Sequence, residues 1–401
     1  MRRAVLLNGL IRTPDRFSAF LDGIAGFQAP LPLVILSTWT GELDAYPDIR
    51  ARLDRIGAVV VEQAPPDLRL PGHILHQALT LDLGLSLLDD ADFVFKARPD
   101  ICNVWDVREF LALSPEAVAA SRLGSPFRHR VLTVGMFGAH PLYINDIIFA
   151  GMAGDLRRLA VLPMIAGVKY PRLAPEQWLW STALLGANPV LDAYLSVNPG
   201  LVFDDAGRNA RLRAALAASP LFARAVAVGA IVVRDSLGFL HPDPLREAIV
   251  AQASRHTLDA LLWERLEIPG LDHHPLACVN TFLSAGFLDV VHDGLHRSSD
   301  LGERVRAAVQ RYGGADGAVW LAQDRALVQR EAAALAQVLV AQCGIGGGQA
   351  MDDQPGRRRV HRGPSPWQQT TDTSDERARL EQEVSHLRRV VDSLSRRVSP
   401  E

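Results

Sequence analysis

Over the first hundred positions, short unbroken apolar runs alternate with stretches of helical period. Residues 4–11, 32–38 and 58–62 read as strands around apolar runs such as Leu33-Val34-Ile35-Leu36 and Val59-Val60-Val61, and 93–95 as a fourth. Between them, residues 15–27 place Phe17, Phe20, Leu21 and Ile24 on one helical face, 49–56 is a short helix, and 73–88 is a longer one. Strands that are apolar on both faces and alternate with helices predict an α/β fold with a mostly parallel sheet. Further along, 104–113 is helical and 131–138 a strand or loop. Residues 143–151 read as another strand, and Asp155 is placed to cap a helix over 156–162. Pro175 and Glu176 open a helix that runs to 185. From 206 to 343 the period is mostly helical, as in 245–266 and in 301–340, with a break at Gly313-Gly314.

The chain therefore divides into an α/β domain over 1–205, a mostly helical region over 206–343, a linker over 344–374 and a last helix over 375–401. The linker is rich in Gly, Gln, Pro and Arg, with little apolar surface to bury, which predicts disorder. In the last segment Leu380, Val384, Leu387, Val391, Leu394 and Val398 alternate spacings of four and three. Valine at a and leucine at d favour a parallel two-stranded coiled coil, so a homodimer through 380–398 is expected.

The stretch Phe93-Val94-Phe95-Lys96-Ala97-Arg98-Pro99-Asp100 focuses the chemistry. Alternation places Lys96, Arg98 and Asp100 on one face, at the carboxyl end of a central strand, and Pro99 stops the ladder. Ligands bind at that end of open α/β sheets. Lysine occurs at only two positions, Lys96 and Lys169. A lysine on an apolar strand needs a partner, either a protein carboxylate or a bound anion.

Composition narrows the classes. The 401 residues are 48% hydrophobic and carry a net charge of -3, which argues against general binding to nucleic acid or to a membrane surface. Three scattered cysteines suggest neither a disulfide framework nor a zinc site and fit a reducing compartment. The start, Met1-Arg2-Arg3 and an apolar run ending at Asn8-Gly9, reads as a strand rather than a signal peptide. No apolar run reaches about 18 residues, so no transmembrane segment is expected. Neither G-x-G-x-x-G nor a P-loop is present, and no G-x-S-x-G or H-E-x-x-H. His273-His274 and His292-x-x-x-His296 lack a third ligand at metal-site spacing.

Several motifs occur in one order: Leu36-Ser37-Thr38-Trp39, Gln77, Lys96-Ala97-Arg98-Pro99-Asp100, Asn145-Asp146, Phe149-Ala150-Gly151 with Asp155-Leu156, and Pro175-Glu176-Gln177-Trp178-Leu179-Trp180. Together they resemble the WavE lipopolysaccharide synthesis family over residues 3–200. The chain departs from that pattern at His73, His76 and Pro99. The resemblance implies a glycosyltransferase-A-like fold and transfer of a sugar from a nucleotide-sugar donor to a glycan or lipid-linked acceptor in bacterial surface polysaccharide synthesis. The location implied is cytoplasmic or peripheral to the inner face of the membrane. Thr38, Trp39, Gln77, Lys96, Arg98 and Asp100 would then face the donor, with Lys96 and Arg98 neutralising its diphosphate. Asp146 or Glu176 would take the acceptor proton. Many such enzymes hold Mg²⁺ or Mn²⁺ with a D-x-D pair. Here the strand ends in Arg98-x-Asp100, leaving Asp100 as the single carboxylate for a metal or a ribose. The incomplete pair and the appended heptads also support a rival expectation: an inactive, glycosyltransferase-like scaffold that recruits partners through its coiled coil.

Leu387→Pro breaks helix and seam together. It is expected to lower the mass read by light scattering, and an unchanged mass would remove the coiled-coil dimer.

Overall fold

The computed structural model describes residues 2–345, apart from 28–30, 68–72, 115–117, 119, 122–124, 137–139, 161–169, 171, 185–187, 201–204, 241–242 and 265–284. The heptads at 380–398, nearly all of the linker and the His273-His274 pair lie outside the described residues.

The four apolar runs become β1 (Arg3–Asn8), β2 (Leu33–Trp39), β3 (Val59–Gln63) and β4 (Phe93–Ala97). β1 lies between β2 and β4, all pair in parallel, and β3 is added outside β2. Three further strands, β5 (Val131–Thr133), β6 (Phe149–Met152) and β7 (Leu237–Phe239), complete a seven-stranded sheet of order β3-β2-β1-β4-β6-β5-β7. β6 runs antiparallel to both β4 and β5, and β7 parallel to β5. The sheet is thus mostly parallel, as expected, with one reversed strand beside β4.

Alternation along the strands creates two cores. Val5, Leu7, Val34, Leu36, Phe93 and Phe95 pack with Phe17, Phe20, Leu21 and Ile24 of α1 (Pro14–Ala25), beside α2 (Pro47–Arg55) and α4 (Val104–Ala112). On the opposite face, Ala4, Leu6, Ile35 and Val94 pack on α3 (Ile74–Leu85), α5 (Ala153–Ala160), α6 (Pro175–Leu184) and the later helices. Those continue as α7 (Pro189–Ser196), α8 (Ala206–Ala218), α9 (Pro220–Ser236), α10 (Asp243–Ala253), α11 (Leu258–Trp263), α12 (Ala285–Asp293), α13 (Asp300–Tyr312), α14 (Gly317–Gln323) and α15 (Arg325–Cys343). They do not stand beside the sheet. β7 extends its edge, and α9 and α15 pack on α7. No single described helix is long and apolar enough to cross a membrane. The pair α8–α9 reaches that length only together, bent by 80°, with α9 buried against α7 and α13.

Two expectations are corrected. The strand expected over 143–151 is confined to Phe149–Met152. Asn145 Oδ1 accepts from the backbone N–H of Ile147 at 2.9 Å and of Ile148 at 2.8 Å, an Asx turn that bends the chain before a strand can form. Asp155 does not cap a helix over 156–162. It sits inside the first turn of α5, where its carboxylate accepts from the N–H groups of Arg128 at 2.7 Å and His129 at 3.0 Å.

α3 approaches the sheet closely at Gly84. A Cβ there would lie 2.3 Å from Leu6 Cδ1 and 3.2 Å from Ser37 Cβ, within a fully buried core. Gly84→Val is therefore expected to destabilise the fold by about 1–3 kcal/mol through overpacking, read as a lower midpoint in chemical denaturation. An unchanged midpoint would mean that α3 is not seated as described.

Candidate functional site

Three strand ends and one helix make a cleft. β1 ends in Asn8 and Gly9, β2 in Thr38 and Trp39, and β4 in Ala97 followed by Arg98, Pro99 and Asp100. α3 brings Gln77 and Thr80 over these ends, with His73 just before its first residue. Asn8, Gly9, Arg12, Trp39, His76, Gln77, Arg98 and Asp100 are among the residues lining a cleft of about 530 Å³ that includes its open mouth. It lies at the carboxyl ends of the parallel strands, where α/β sheets place their ligands. Gly9 has φ +109, a conformation that L side chains rarely adopt, and this lets the chain leave β1 sharply toward Arg12.

Each member is held from below. Thr38 Oγ1 donates to the Gly9 carbonyl at 3.0 Å, and Gly9 N–H donates to the Ser37 carbonyl at 3.0 Å. Thr38 is thus a buried brace for the β1 exit and not a wall of the cleft. Trp39 is buried, and its ring meets that of His76 edge to face with the ring centres 5.3 Å apart. His73 adopts φ +57, uncommon for a residue other than glycine, and its ring meets His76 at 5.5 Å. The Asn8 amide donates to the Gln77 carbonyl at 3.2 Å and to Thr80 Oγ1 at 3.1 Å. Gln77 Nε2 in turn donates to the Asp146 carbonyl at 2.8 Å.

Arg98 and Asp100 pair with each other. The guanidinium donates through Nε to Oδ1 at 3.0 Å and through a terminal nitrogen to Oδ2 at 2.5 Å, so one fork occupies both carboxylate oxygens. Burial works against the Arg98 charge, but the hydrogen bonds and charge of Asp100 outweigh it and the guanidinium is held strongly basic.

Lys96 does not meet a carboxylate and does not line the cleft. Its side chain is fully buried, and Nζ donates to the main-chain carbonyls of Asp146 and, at 3.3 Å, Ile147, over the ring of Phe149. Burial pushes this ammonium down to about 7, against the pull of the Asp146 charge and with the push of Arg98. Together with Gln77 and the Asn145 turn, Lys96 fixes the loop that carries the Asp146 side chain.

Asp146 and Glu176 form an acid pair at the edge of the cleft. Glu176 lies in the first turn of α6, and Asp146 is buried. Desolvation, and then the charge of Asp146, push the Glu176 carboxyl up to about 7; backbone and Tyr143 hydrogen bonds and the charge of Arg98 restrain it. Arg98 is the link, since it lines the cleft and feels the charge of both acids. Glu176 can exchange a proton near neutral pH beside a cationic cleft.

The cleft offers a divalent metal little. Asp100 is the only carboxylate among the cleft-lining residues and both of its oxygens are taken by Arg98, so a Mg²⁺ or Mn²⁺ ion held by one carboxylate and substrate phosphates would have to break that fork. Among the described residues, no group of three or more His, Cys, Asp or Glu side chains is placed to hold an ion.

Of the residues expected from sequence, Trp39, Gln77, Arg98 and Asp100 line one cleft, and Asp146 with Glu176 adjoins it. Arg12 and Asn8 went unnoticed, although Asn8-Gly9 at a strand end followed by a cation is a readable signal of a turn at the ligand-binding edge. Compared with protein-family models, curated proteins and solved structures, the chain matches none. What the fold itself defines is an α/β protein with a mostly parallel, Rossmann-like sheet and a polar cleft at its carboxyl edge.

The chain has two lysines, Lys96 and Lys169, so ¹³Cε-lysine labelling should give two resonances. One is expected to titrate near pH 7 and to vanish in Lys96→Met. Titration of both near the ordinary value of about 10.4 would show that Lys96 is not buried in this way.

Proposed function

We propose that the chain is a glycosyltransferase that moves a sugar from a nucleotide-sugar donor to a glycan or lipid-linked acceptor in bacterial surface polysaccharide synthesis. The observation that carries this reading is the Asp146–Glu176 pair adjoining, through Arg98, a cationic cleft at the carboxyl ends of β1, β2 and β4. The ordered motifs that resemble those of the WavE family favour the glycosyltransferase-A-like version of the fold in this reading. In the transfer, the bond from the anomeric carbon to the diphosphate oxygen breaks and a bond to the acceptor oxygen forms. Cations at the cleft offset the charge left on the diphosphate. The acceptor hydroxyl proton passes to the acid pair. Glu176, with its carboxyl raised to about 7, is matched to act as the base at neutral pH. The role expected of Lys96 shifts from touching the diphosphate to placing Asp146. A cytoplasmic location, peripheral to the membrane where acceptors are lipid-linked, belongs to the same proposal, as does a homodimer through 380–398.

A second reading has its own observation. The Arg98–Asp100 fork takes up the carboxylate that a D-x-D site would offer, which favours an inactive binding scaffold.

Release of nucleoside diphosphate from a panel of nucleotide sugars separates the two. Turnover is expected to rise as pH passes 7 and to fall at least about 100-fold in Glu176→Gln, with nucleotide affinity kept. Nucleotide binding without turnover at any pH would leave the scaffold reading in place.

A further inference from the structure

We infer that the cleft takes the donor's diphosphate through two arginines, Arg12 and Arg98, without a divalent cation. The inference rests on the donor-cleft reading above and specifies how the phosphates are held.

Arg12 carries it. Its guanidinium projects from the loop that leaves β1, lines the cleft, and makes no hydrogen bond or ion pair with any described residue. Most other arginines near the sheet are engaged: Arg2 with Asp92, Arg3 with the carbonyls of Leu111 and Leu113, Arg157 with Asp90. Arg12 instead stands beside another cation. Its side chain reaches solvent, but partial desolvation against the cleft and the charge of Arg98 both work against its own charge, and Asp100 and Glu42 only partly offset them. Arg12, Arg98 and Asp100 together carry one net positive charge at the mouth of the cleft, which Glu42 and Asp146 offset only from outside the lining, and a phosphate group would supply an anion within it.

The loop is rigid enough to recognise a ligand. Glu42 Oε1 accepts from Ile11 N–H at 2.8 Å, Thr38 holds the Gly9 carbonyl, and Thr13 Oγ1 donates to the Asp100 carbonyl at 3.1 Å. The last bond ties the Arg12 loop directly to the turn that presents Arg98 and Asp100. Two planar guanidinium groups carried on joined loops suit the spread oxygens of a diphosphate, which accept bidentate N–H pairs. A Mg²⁺ or Mn²⁺ ion in the same place would have to draw Asp100 out of its fork and then sit between two arginines, where their charge repels it.

Calorimetry on the full chain tests this with inorganic pyrophosphate and with uridine, guanosine, cytidine and adenosine diphosphates, each in EDTA and in Mn²⁺. At least one nucleotide is expected to bind with Kd equal within about two-fold in the two buffers. Arg12→Gln should weaken it at least about ten-fold and reduce its salt dependence, as loss of one phosphate contact requires. Arg12 is exposed, so the variant should melt with the parent chain. Binding that appears only with Mn²⁺, binding unchanged in Arg12→Gln, or no binding by any probe would overturn the inference. Sugar release measured alongside separates it from the transferase reading. Metal-free binding without turnover keeps the arginine site and removes the transferase. Turnover that needs Mn²⁺ does the reverse.

Discussion

A fully buried ammonium must find acceptors or give up its proton, and Lys96 is caught between the two. Desolvation weakens its hold on the proton to about 7, while the carbonyls of Asp146 and Ile147 receive its N–H groups. The partner is the backbone of a turn, so the lysine secures the 145–148 loop rather than neutralising a side chain. Gln77 binds the same Asp146 carbonyl, Trp180 Nε1 donates to the Asn145 carbonyl at 3.3 Å, and Asn145 folds the turn on itself. The Asp146 carboxylate is left beside Glu176 and Arg98 because its main chain is held from several sides. Its charge is one reason that Glu176 keeps its proton to near neutrality.

The sheet explains why these groups meet at all. Parallel strands send their carboxyl ends to one edge, so Asn8, Trp39 and Arg98, from separate parts of the chain, converge there. The reversed strand β6 has a second effect. Running antiparallel to β4, it brings its preceding turn, with Asp146, to the edge where β4 ends. A parallel strand in that place would send the turn to the opposite edge, away from Arg98.

Period and alternation made much of this readable beforehand. The four first strands, the apolar face of α1 and the polar end of β4 all follow from local pattern, since each is decided by which side chains must leave water. Arg98-x-Asp100 also announced itself, but not its internal fork, because pairing at i and i+2 depends on the turn that Pro99 makes. Other features depended on partners distant in sequence. Asn145 ended a strand that composition favoured, by capturing two N–H groups of its own turn. Asp155 was claimed by the N–H groups of Arg128 and His129 from the approach to β5. Lys96 looked like an anion's partner because nothing local shows that two carbonyls from residues 146 and 147 arrive above it. Asn8-Gly9 marks the turn after β1, but nothing local marks Arg12 as the cation that the turn delivers to the cleft. Only the fold shows that Arg98 is beside Arg12.

A crystal structure of the chain grown with a nucleoside diphosphate that it binds would test the central claim most directly, namely that the strand ends of β1, β2 and β4 form one donor site. Density for the diphosphate is expected within hydrogen-bond distance of the Arg12 and Arg98 guanidinium groups, with the remaining ligand in the cleft beside Trp39 and His76. A nucleotide seated elsewhere on the molecule, or a diphosphate held away from both arginines, would contradict the account.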